Sequence, residues 1–381
     1  MTKLRIILAG GGTGGHIFPL IAVSQALREL SAQRGLVLDA RYFGGAHDYS
    51  GALAENDIRF VSIISSKLRR YASAANFLDI PKFFLGLLQS LWKVYWFMPD
   101  AVFSKGGPGA LSVILACKFY MVPIIIQESD SVPGQTNVIS GKLAKKIFLA
   151  FASAADYFDN SKVSVVGNPV RQDLAVAANN TEEARLAAKK KLDLADNIPV
   201  LMVMGGSQGA RRLNEFMLEN LNSLIGEFQI VHQTGEGEYE SFFQEYSALT
   251  KDWSEEVKKR YRFKAFWENE LKDVYLAADL VVARAGAGTI FELAVFGRPA
   301  VLVPLPEAAG DHQTKNAYEY SNTGAALVIE QKNFLGNLVL DRLARLARDP
   351  GLLRQMSEAA RKFYRPEAAR QIAEGILSLL K

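Results

Sequence analysis

The sequence predicts an α/β protein with two domains, each built on a parallel sheet. Two short apolar runs, residues 4–9 and 200–204, are followed by glycine-rich loops at residues 10–15 and 205–209. Apolar runs of this length, rich in β-branched residues, are typical of buried parallel strands. Strand-like and helix-like segments alternate along all 381 residues. This alternation predicts helices on both faces of each sheet, and the length suits two domains.

The strands and the domain boundary follow from the same alternation. The boundary is predicted near residues 161–173, where an apolar run ends in Gly167-Asn168-Pro169 and a polar stretch follows. We therefore expect an N-terminal domain at residues 1–163 and a C-terminal domain at residues 164–365, with a final helix at 366–381 that could pack back on the first domain. The predicted strands are residues 4–9, 37–43, 101–103, 124–126, 163–166, 200–204, 229–233, 280–283 and 300–303.

The amino-acid composition limits the kinds of molecule that this protein is expected to bind. The chain is 49% hydrophobic and 22% charged, as expected of a soluble α/β protein. Residues 1–165 contain 17 Lys and Arg against 11 Asp and Glu, which favours an anionic partner there, either phosphate groups or an anionic membrane surface. The basic residues are not clustered with stacking aromatics, so no nucleic-acid partner is expected. Cys117 is the only cysteine, which excludes disulfides within the chain and fits a cytoplasmic location.

One helix-like segment, residues 77–97, is unusually apolar and aromatic. Its longest uncharged run, residues 83–92, is far shorter than the ~20 residues that span a bilayer. The segment is either a helix that covers the sheet or a patch that enters the interface of an anionic membrane. The two interpretations are compatible if each uses one face of the helix. The candidate membrane patch is Phe77, Ile80, Phe83, Phe84, Leu87 and Trp92.

The first glycine loop predicts a phosphate site but matches no common nucleotide motif. Gly10, Gly12 and Gly15 have the spacing of a dinucleotide-binding loop, yet the second strand does not end in the acidic residue that would hold a ribose, since Asp39 lies inside that strand. A Walker loop is also excluded, because His16 stands where its lysine should be. A glycine turn at a helix N-terminus still presents free N–H groups to a phosphate or diphosphate.

His16 is the candidate general base. At a helix N-terminus the dipole disfavours the imidazolium, which keeps the imidazole neutral and able to accept a proton. The alternative is a histidine that caps the helix or packs against it.

A second group of candidates lies in the C-terminal half. Arg284 to Glu292 follow the strand at 280–283, and Glu292 is predicted in the first turn of the next helix, where it could accept hydrogen bonds from a ribose. The alternative is a simple N-terminal helix charge. The polar run from Asp311 to Asn316 follows the next strand and could contact sugar hydroxyls.

Five motifs in order resemble the MurG family of N-acetylglucosaminyltransferases. They are residues 11–16, 167–171, 205–210, 284–292 and 311–317, and the resemblance runs from about residue 4 to residue 375. It implies a GT-B fold, in which two Rossmann-like domains face each other across a cleft. It also implies an inverting transfer of N-acetylglucosamine from UDP-GlcNAc to lipid I, the undecaprenyl-pyrophosphoryl-MurNAc-pentapeptide, which yields lipid II for peptidoglycan synthesis.

The resemblance further implies site residues, a location and a cofactor requirement. The protein would act as a peripheral protein at the cytoplasmic face of the plasma membrane, with no required cofactor, no metal ligands and a divalent cation at most stimulatory. The implied donor-binding residues are Thr13, Gly14, Gly15, Arg171, Ser207, Gln208, Gly209, Phe266, Trp267, Ala287, Gly288, Thr289, Glu292, His312 and Gln313. The implied acceptor-binding residues are Gly14, Gly15, His16, Gly106, Gly107, Asp130 and Asn137. The implied catalytic residues are His16, Glu128 and Asp130.

The chain departs from the family on the acceptor side. It reads Gln127-Glu128-Ser129-Asp130 where many members have His-Glu-Gln-Asn, and residues 105–112 differ from the usual Gly-Gly-Tyr loop. Asp130 could therefore share the role of base with His16. Two other functions stay open at this point: a noncatalytic UDP-sugar-binding subunit, and a UDP-sugar 2-epimerase of the same fold.

Overall fold

The computed structural model describes residues 2–45, 49–65, 74–178, 181–206 and 209–380, with side chains in the helix at 74–97 described from residue 79 onward. The chain forms two compact units. Unit 1 comprises Met1–Arg171 and Arg365–Lys381, and unit 2 comprises Gln172–Tyr364. Each unit contains one fully parallel sheet, which confirms the predicted α/β class.

Unit 1 has a seven-stranded sheet in the order β3-β2-β1-β4-β5-β6-β7. Its strands are β1 (Lys3–Ala9), β2 (Val37–Gly44), β3 (Ile58–Ser62), β4 (Ala101–Ser104), β5 (Ile124–Glu128), β6 (Lys146–Leu149) and β7 (Val163–Val165). Its helices are α1 (Gly14–Gln33), α2 (Ser50–Glu55), α3 (Ala74–Phe97), α4 (Ala110–Phe119) and α5 (Gln135–Leu143). The central strands are apolar because helices cover both of their faces.

The chain passes between the units inside the predicted region 161–173, but later than the predicted end of the first domain at residue 163. The boundary predicted after residue 163 falls inside β7, which pairs with β6 in the sheet of unit 1. The chain passes to unit 2 only after Arg171. The run from Val163 looks like the start of a new domain in sequence because it is a short edge strand that follows an irregular segment.

Unit 2 has a six-stranded sheet in the order β10-β9-β8-β11-β12-β13. The helices at its start and the strands are α6 (Gln172–Ala177), α7 (Glu182–Lys191), β8 (Val200–Met204), β9 (Gln229–Gln233), β10 (Tyr261–Lys264), β11 (Leu280–Ala283), β12 (Ala300–Leu302) and β13 (Ala326–Val328). The other helices are α8 (Arg211–Glu219), α9 (Leu221–Glu227), α10 (Tyr239–Leu249), α11 (Glu255–Lys258), α12 (Leu271–Ala277), α13 (Ala287–Phe296), α14 (His312–Ser321), α15 (Gly336–Ala347) and α16 (Pro350–Phe363).

Both sheets reverse their winding next to the first strand of the unit. In unit 1 the chain builds β1, β2 and β3 outward and then returns to place β4 on the other side of β1. In unit 2 it does the same with β8, β9 and β10 before β11. The loops after the two central strands diverge at such a switch point and leave a crevice, which is the usual ligand site of open α/β sheets. Both glycine-rich loops of the sequence lie at these positions.

The last helix, α17 (Ala368–Leu377), belongs to unit 1 and packs against α1. Ile372 and Ile376 are buried in the same apolar cluster as Leu20 and Val23 of α1. Gly375 lies so close to Phe148 that a Cβ there would be 2.4 Å from the phenyl ring. The chain thus returns to its first unit to complete that core.

Helix α3 has one packed face and one exposed apolar face. Val94 and Phe97 are buried, whereas Phe84 and Trp92 are 58% and 65% exposed. Of the predicted patch, Ile80 is exposed as well, Phe83 and Leu87 are half-buried, and the side chain of Phe77 lies outside the described residues. The exposed face also includes Leu85, Leu88, Tyr95 and Trp96, with Phe119 and Met121 at the end of α4. Within the described part of the chain, no helix has the length and apolarity to cross a membrane.

The packing of α17 predicts that Ile372→Ala destabilises unit 1. Truncating this fully buried side chain should lower the free energy of unfolding by about 2 to 4 kcal/mol, measured by urea denaturation, because it removes apolar burial and leaves a cavity. Gln371→Ala on the exposed face of the same helix is the matched control, with a change below about 0.5 kcal/mol. Equal stability of the two variants would contradict this docking of α17.

Candidate functional site

The loop after β1 leads directly into α1. Tyr42 of β2 donates its hydroxyl hydrogen toward the carbonyl oxygens of Gly10 and Gly11, at 2.8 and 3.2 Å. Helix α1 begins at Gly14, so the first amides of the helix belong to the glycine loop and have no partner within the helix. The loop therefore presents N–H groups and the positive end of the helix dipole.

The loop after β4 lies against this first loop. Gly106, Gly107 and Gly109 all have positive φ, at 75°, 87° and 83°. A Cβ on Gly107 would be 2.8 Å from the amide nitrogen of Gly11 and 3.1 Å from Nε2 of His16. Glycine is therefore required at Gly107 by its backbone conformation and by the close approach of the two loops.

His16 occupies the third position of α1, at the edge of both loops. Its Nδ1 is 2.8 Å from Oγ1 of Thr13. The pKa of His16 is lowered to about 4, mainly by burial and then by the nearby Lys105 ammonium, while Asp130 opposes this shift. The imidazole is thus uncharged at neutral pH. When Nδ1 carries the proton and donates to Thr13, Nε2 beside Gly107 is a proton acceptor.

Glu128 is the last residue of β5, and Asp130 lies in the loop that follows. Glu128 is buried and accepts hydrogen bonds from the amides of Asp130 and Gly134, at 3.0 and 3.2 Å, and from Nδ2 of Asn137, at 2.9 Å. Burial raises the pKa of Glu128 above its ordinary value. Asn137 is also buried and donates to the carbonyl oxygen of Gln127 at 3.1 Å. Both side chains thus hold the loop in shape, and Asp130 is only half-buried.

Unit 2 contains a pocket at its own switch point, with a volume of about 510 Å³. The loops after β8 and β11 and the starts of α8, α13 and α14 supply most of its lining. Ser207 and Gln208, which were predicted to bind the donor, lie outside the described residues. The lining residues are Gly205, Gly206, Gly209, Ala210, Arg211, Arg212, Glu215, Arg284, Gly286, Thr289, Leu305, Gln313 and Gln331.

Arg284 is a cationic wall of this pocket. Its guanidinium donates to the carbonyl oxygens of Val303 and Pro304, at 3.1 and 3.2 Å, and to Oε1 of Gln331, at 2.7 Å. Burial lowers the pKa of Arg284 from its ordinary value, and Glu307 opposes this shift. The side chain is fixed by its neighbours and so adds a positively charged, preoriented group to the glycine-lined pocket.

Glu292 lies in the second turn of α13, so the predicted first-turn position is wrong. The helix begins at Ala287, directly after Gly286, which puts five helical residues ahead of the carboxylate. The hydroxyl of Tyr275 donates to Oε2 of Glu292 at 2.7 Å. The carboxylate is oriented by this hydrogen bond, at a position where the end charge of the helix has largely decayed.

The remaining predicted donor residues fall into four groups. Thr289 and Gln313 line the pocket, with Ala287 and Gly288 at the start of α13. His312 begins α14, and its Nδ1 is 2.9 Å from the carbonyl oxygen of Ala309. Phe266 and Trp267 follow β10 in unit 2, where the amide of Trp267 already donates to Gln233 at 3.2 Å. Thr13, Gly14, Gly15 and Arg171 belong to unit 1, where the guanidinium of Arg171 stacks on the ring of Phe18 at 4.7 Å.

Sequence reasoning missed three groups that shape these sites. Tyr275 orients Glu292, Gln331 orients Arg284, and Lys105 lies buried beside His16. Of the three, only Lys105 could have been found from the sequence, because it directly precedes the glycine pair Gly106 and Gly107. The other two come from segments distant in the chain, with no pattern around them. Among the described residues, no group of three or more His, Cys, Asp or Glu side chains is placed to hold a metal ion.

Two family models match the chain, one in each half. Residues 6–149 match the glycosyltransferase family 28 N-terminal domain, and residues 200–372 match the C-terminal domain of the same family. The protein of Salinibacter ruber named UDP-N-acetylglucosamine--N-acetylmuramyl-(pentapeptide) pyrophosphoryl-undecaprenol N-acetylglucosamine transferase is 36% identical, over 98% of this chain and 96% of its own length. The chain belongs to this family of glycosyltransferases.

Solved structures agree with the fold. The crystal structure of MurG from Acinetobacter baumannii matches with a TM-score of 0.71 and 27% identity, over 98% of this chain and 99% of that one. A UDP-GlcNAc 2-epimerase from Neisseria meningitidis, bound to UDP-GlcNAc, matches with a TM-score of 0.66 over 99% of this chain and all of the other, but at 13% identity. The second match shows the shared fold alone. The chain therefore has the two Rossmann-like domains expected of a GT-B glycosyltransferase.

The surroundings of His16 predict an imidazole that stays uncharged down to about pH 4, against 6.5 for an unperturbed histidine. NMR titration of the four histidines, with His16→Gln to assign the resonance, measures this value directly. Because the unfolded chain binds a proton at His16 that the folded chain does not, this group favours unfolding increasingly as the pH falls from 6.5 toward 4. A midpoint near 6.5 in the folded protein would contradict the described environment.

Proposed function

We propose that this protein transfers N-acetylglucosamine from UDP-GlcNAc to lipid I and inverts the anomeric carbon. Its relatives are named as transferases of N-acetylglucosamine. One structural observation gives the proposal its main support. Each unit has a glycine-rich loop at its switch point, with an uncharged histidine in unit 1 and a cationic, glycine-lined pocket in unit 2. A base and a diphosphate site are the two parts that such a transfer requires.

The donor binds in unit 2. The amides at the starts of α8 and α13, together with Arg284, suit the diphosphate. Ser207 and Gln208 in the loop after β8 contribute further donors to the same group. Glu292, oriented by Tyr275, accepts hydrogen bonds from the ribose hydroxyls. His312 and Gln313 contact the sugar, and the uracil lies beside residues 266–267. The role of Arg171 at the diphosphate stays a prediction.

The acceptor binds in unit 1. The lipid diphosphate lies at the N–H groups of Gly14 and Gly15, with residues 106–107 forming the opposite wall. Nε2 of His16 accepts the proton of the acceptor 4-hydroxyl. Its oxygen forms a bond to the anomeric carbon from the face opposite UDP, and the bond from that carbon to the diphosphate breaks as UDP leaves. Asp130 can share the proton, whereas Glu128 keeps the shape of the loop.

In the proposed mechanism, the charge on the leaving diphosphate is stabilised without a cofactor. Helix N-termini and a preoriented guanidinium stabilise developing charge without rearrangement. Arg284 is held by three hydrogen bonds and meets this requirement. A divalent cation would then stimulate the reaction at most.

The exposed face of α3 supports binding to an anionic membrane. Contiguous exposed aromatics are rare on a protein that meets only water, and they are typical of interfacial helices. Phe84, Trp92 and Trp96 are exposed on this face, and Lys82 is exposed beside them. We place the protein at the cytoplasmic face of the plasma membrane, where lipid I presents its sugar, as a peripheral component of peptidoglycan synthesis.

The deciding experiment measures UDP release from UDP-GlcNAc by the purified protein, with and without a soluble lipid I analogue, and identifies the sugar product by mass. We expect acceptor-dependent release and a disaccharide-linked product. Donor binding without release would instead favour a UDP-sugar-binding subunit. An altered free sugar without acceptor would favour an epimerase.

Two substitutions should separate chemistry from donor binding. His16→Ala should lower kcat by about 10² to 10⁴, with UDP-GlcNAc binding unchanged, because it removes the base. Glu292→Ala should weaken UDP-GlcNAc binding by about tenfold, since it removes hydrogen bonds to the ribose. Steady-state kinetics and calorimetric titration measure the two effects. A His16→Ala variant with unaltered kcat would rule out His16 as the base.

The α3 face should determine sedimentation with vesicles that contain phosphatidylglycerol. Replacing Phe84 and Trp92 by serine should reduce the bound fraction several-fold, because both side chains are exposed and lose their interfacial burial. The matched control replaces the exposed apolar residues Phe243 and Leu249 of unit 2 by serine. Equal binding of the two double variants would exclude α3 as the docking surface.

A further inference from the structure

A lysine lies buried at the end of β4, and the proposed mechanism gives it no task. Lys105 is only 3% exposed. Its amide donates to the carbonyl oxygen of Ala9 at 2.9 Å, which joins it to the end of β1. An ammonium group rarely becomes this buried unless several acceptors replace its water.

Three side-chain oxygens surround the Lys105 ammonium. Nζ donates to Oε1 of Gln127 at 2.8 Å, to Oδ1 of Asn168 at 3.0 Å and to Oγ of Ser129. The orientation of Gln127 agrees, because its Nε2 donates to Gly167 at 3.2 Å and to Oδ1 of Asn168 at 3.3 Å. The two amide oxygens only accept hydrogen bonds, and the hydroxyl of Ser129 donates its own hydrogen to Oδ1 of Asn168 at 3.4 Å. Three N–H groups of an ammonium therefore match the three oxygens. With these bonds made, Lys105 has no N–H group left for a substrate phosphate.

The three oxygens come from different parts of unit 1. Gln127 lies in β5, Ser129 begins the loop that carries Asp130, and Asn168 lies in the segment that follows β7. The loop next to His16 is thereby joined through one cation to the end of β4 and to the last segment before the chain enters unit 2.

The same cation is close to the proposed base. A Cβ placed on Gly10 would lie 3.5 Å from Cβ of His16 and 3.8 Å from Cβ of Lys105, so these two side chains leave neighbouring backbone positions. Among the described residues, Asp130 from the loop after β5 also acts on the pKa of His16. Two tyrosine hydroxyls face the same glycine loop: that of Tyr42 lies at the carbonyl oxygens of Gly10 and Gly11, and that of Tyr49 would be 3.2 Å from a Cβ on Gly14. Burial lowers the pKa of Lys105 to about 7, and the carboxylates of Glu128 and Asp130 oppose this shift. The ammonium form therefore predominates below neutral pH, which includes the range in which His16 titrates.

We propose that Lys105 is a positioning residue for the transfer reaction, whose ammonium group holds the Ser129–Asp130 loop against the end of β4 and places a positive charge beside His16. The charge disfavours a second cation on the imidazole and so keeps the base ready to accept a proton. It also balances the carboxylates of Glu128 and Asp130, which the same loop brings near the site. This proposal rests on the proposed function, because it assigns Lys105 a role in that reaction.

The first test compares Lys105→Met with Lys105→Arg. Removing the charge should raise the NMR titration midpoint of His16 by about one pH unit, and should move the acidic limb of kcat in the same direction, since a nearby cation no longer opposes imidazolium. Lys105→Arg keeps the charge and should restore most of the midpoint. Lys145→Met removes an exposed lysine of the same unit and should leave both quantities unchanged.

A second variant covers the case in which Lys105→Met does not fold. Ser129→Ala removes one oxygen from the ammonium and leaves the charge in place. We expect kcat to fall about tenfold with the KM for UDP-GlcNAc unchanged, because the loop beside His16 loses an anchor while unit 2 keeps its pocket. A folded Lys105→Met protein with an unshifted His16 midpoint, or a Ser129→Ala protein with full kcat, would overturn the proposal.

The titration separates this proposal from the function itself. The His16 midpoint is measured on the free protein, without either substrate. A shifted midpoint in Lys105→Met, in a protein whose wild type transfers no sugar, would reject the proposed function and leave the electrostatic pairing intact. Transfer by the wild type with an unshifted midpoint in Lys105→Met would reject the role of Lys105 alone.

Discussion

The backbone of the loop after β4 lies directly against the backbone of the loop after β1. A single Cβ at Gly107 would meet the amide of Gly11 at 2.8 Å. This approach is possible because β1 and β4 are neighbours at the switch point of the sheet, and because glycine alone adopts the positive φ there without strain. The position of His16, the N–H groups of the first loop and the burial of Lys105 all depend on this contact. The site in unit 1 therefore depends on two glycine-rich loops whose backbones lie against each other.

Unit 2 has a switch point of the same topology, but different side chains surround it. Its loops after β8 and β11 also meet at a switch point, but the lining is rich in arginine and glycine, and no histidine is among the described lining residues. One switch point thus contains a neutral imidazole and the other a preoriented guanidinium. The two sites differ in the side chains that their loops present, whereas the strand order around the two switch points is the same.

Most of the architecture could be predicted from the sequence, because buried parallel strands are short apolar runs. The strands at the centre of both sheets were predicted within a residue or two of their bounds, as with β8 and β11. The edge strands β3 and β10 were missed because they are half-exposed and mix apolar with polar residues, and the edge strand β13 was missed because it has only three residues. β6 is short and begins with Lys146, which hides its apolar end. The boundary after residue 163 failed for a related reason, since β7 is an edge strand as well.

The site was less predictable than the fold. A glycine-rich loop that follows a strand predicts a crevice suited to phosphate binding, and this local pattern located both switch points. The groups that orient the site, such as Tyr275 on Glu292 and Asn168 on Lys105, lie 17 and 63 residues from their partners. Only the folded chain brings them together, because each comes from a different strand or helix. Sequence reasoning also attributed the neutrality of His16 to the helix dipole, whereas burial and the charge of Lys105 are the causes in the structure.

The most direct test of the account is hydrogen exchange of the full chain on addition of UDP-GlcNAc, read peptide by peptide. Because the proposed donor pocket lies in unit 2, amide exchange should slow in the loops after β8 and β11 and at the start of α13, and should slow there more than in the loops after β1 and β4. Protection confined to the loop at residues 10–16 would contradict it, because the donor would then occupy the site that the account gives to the acceptor.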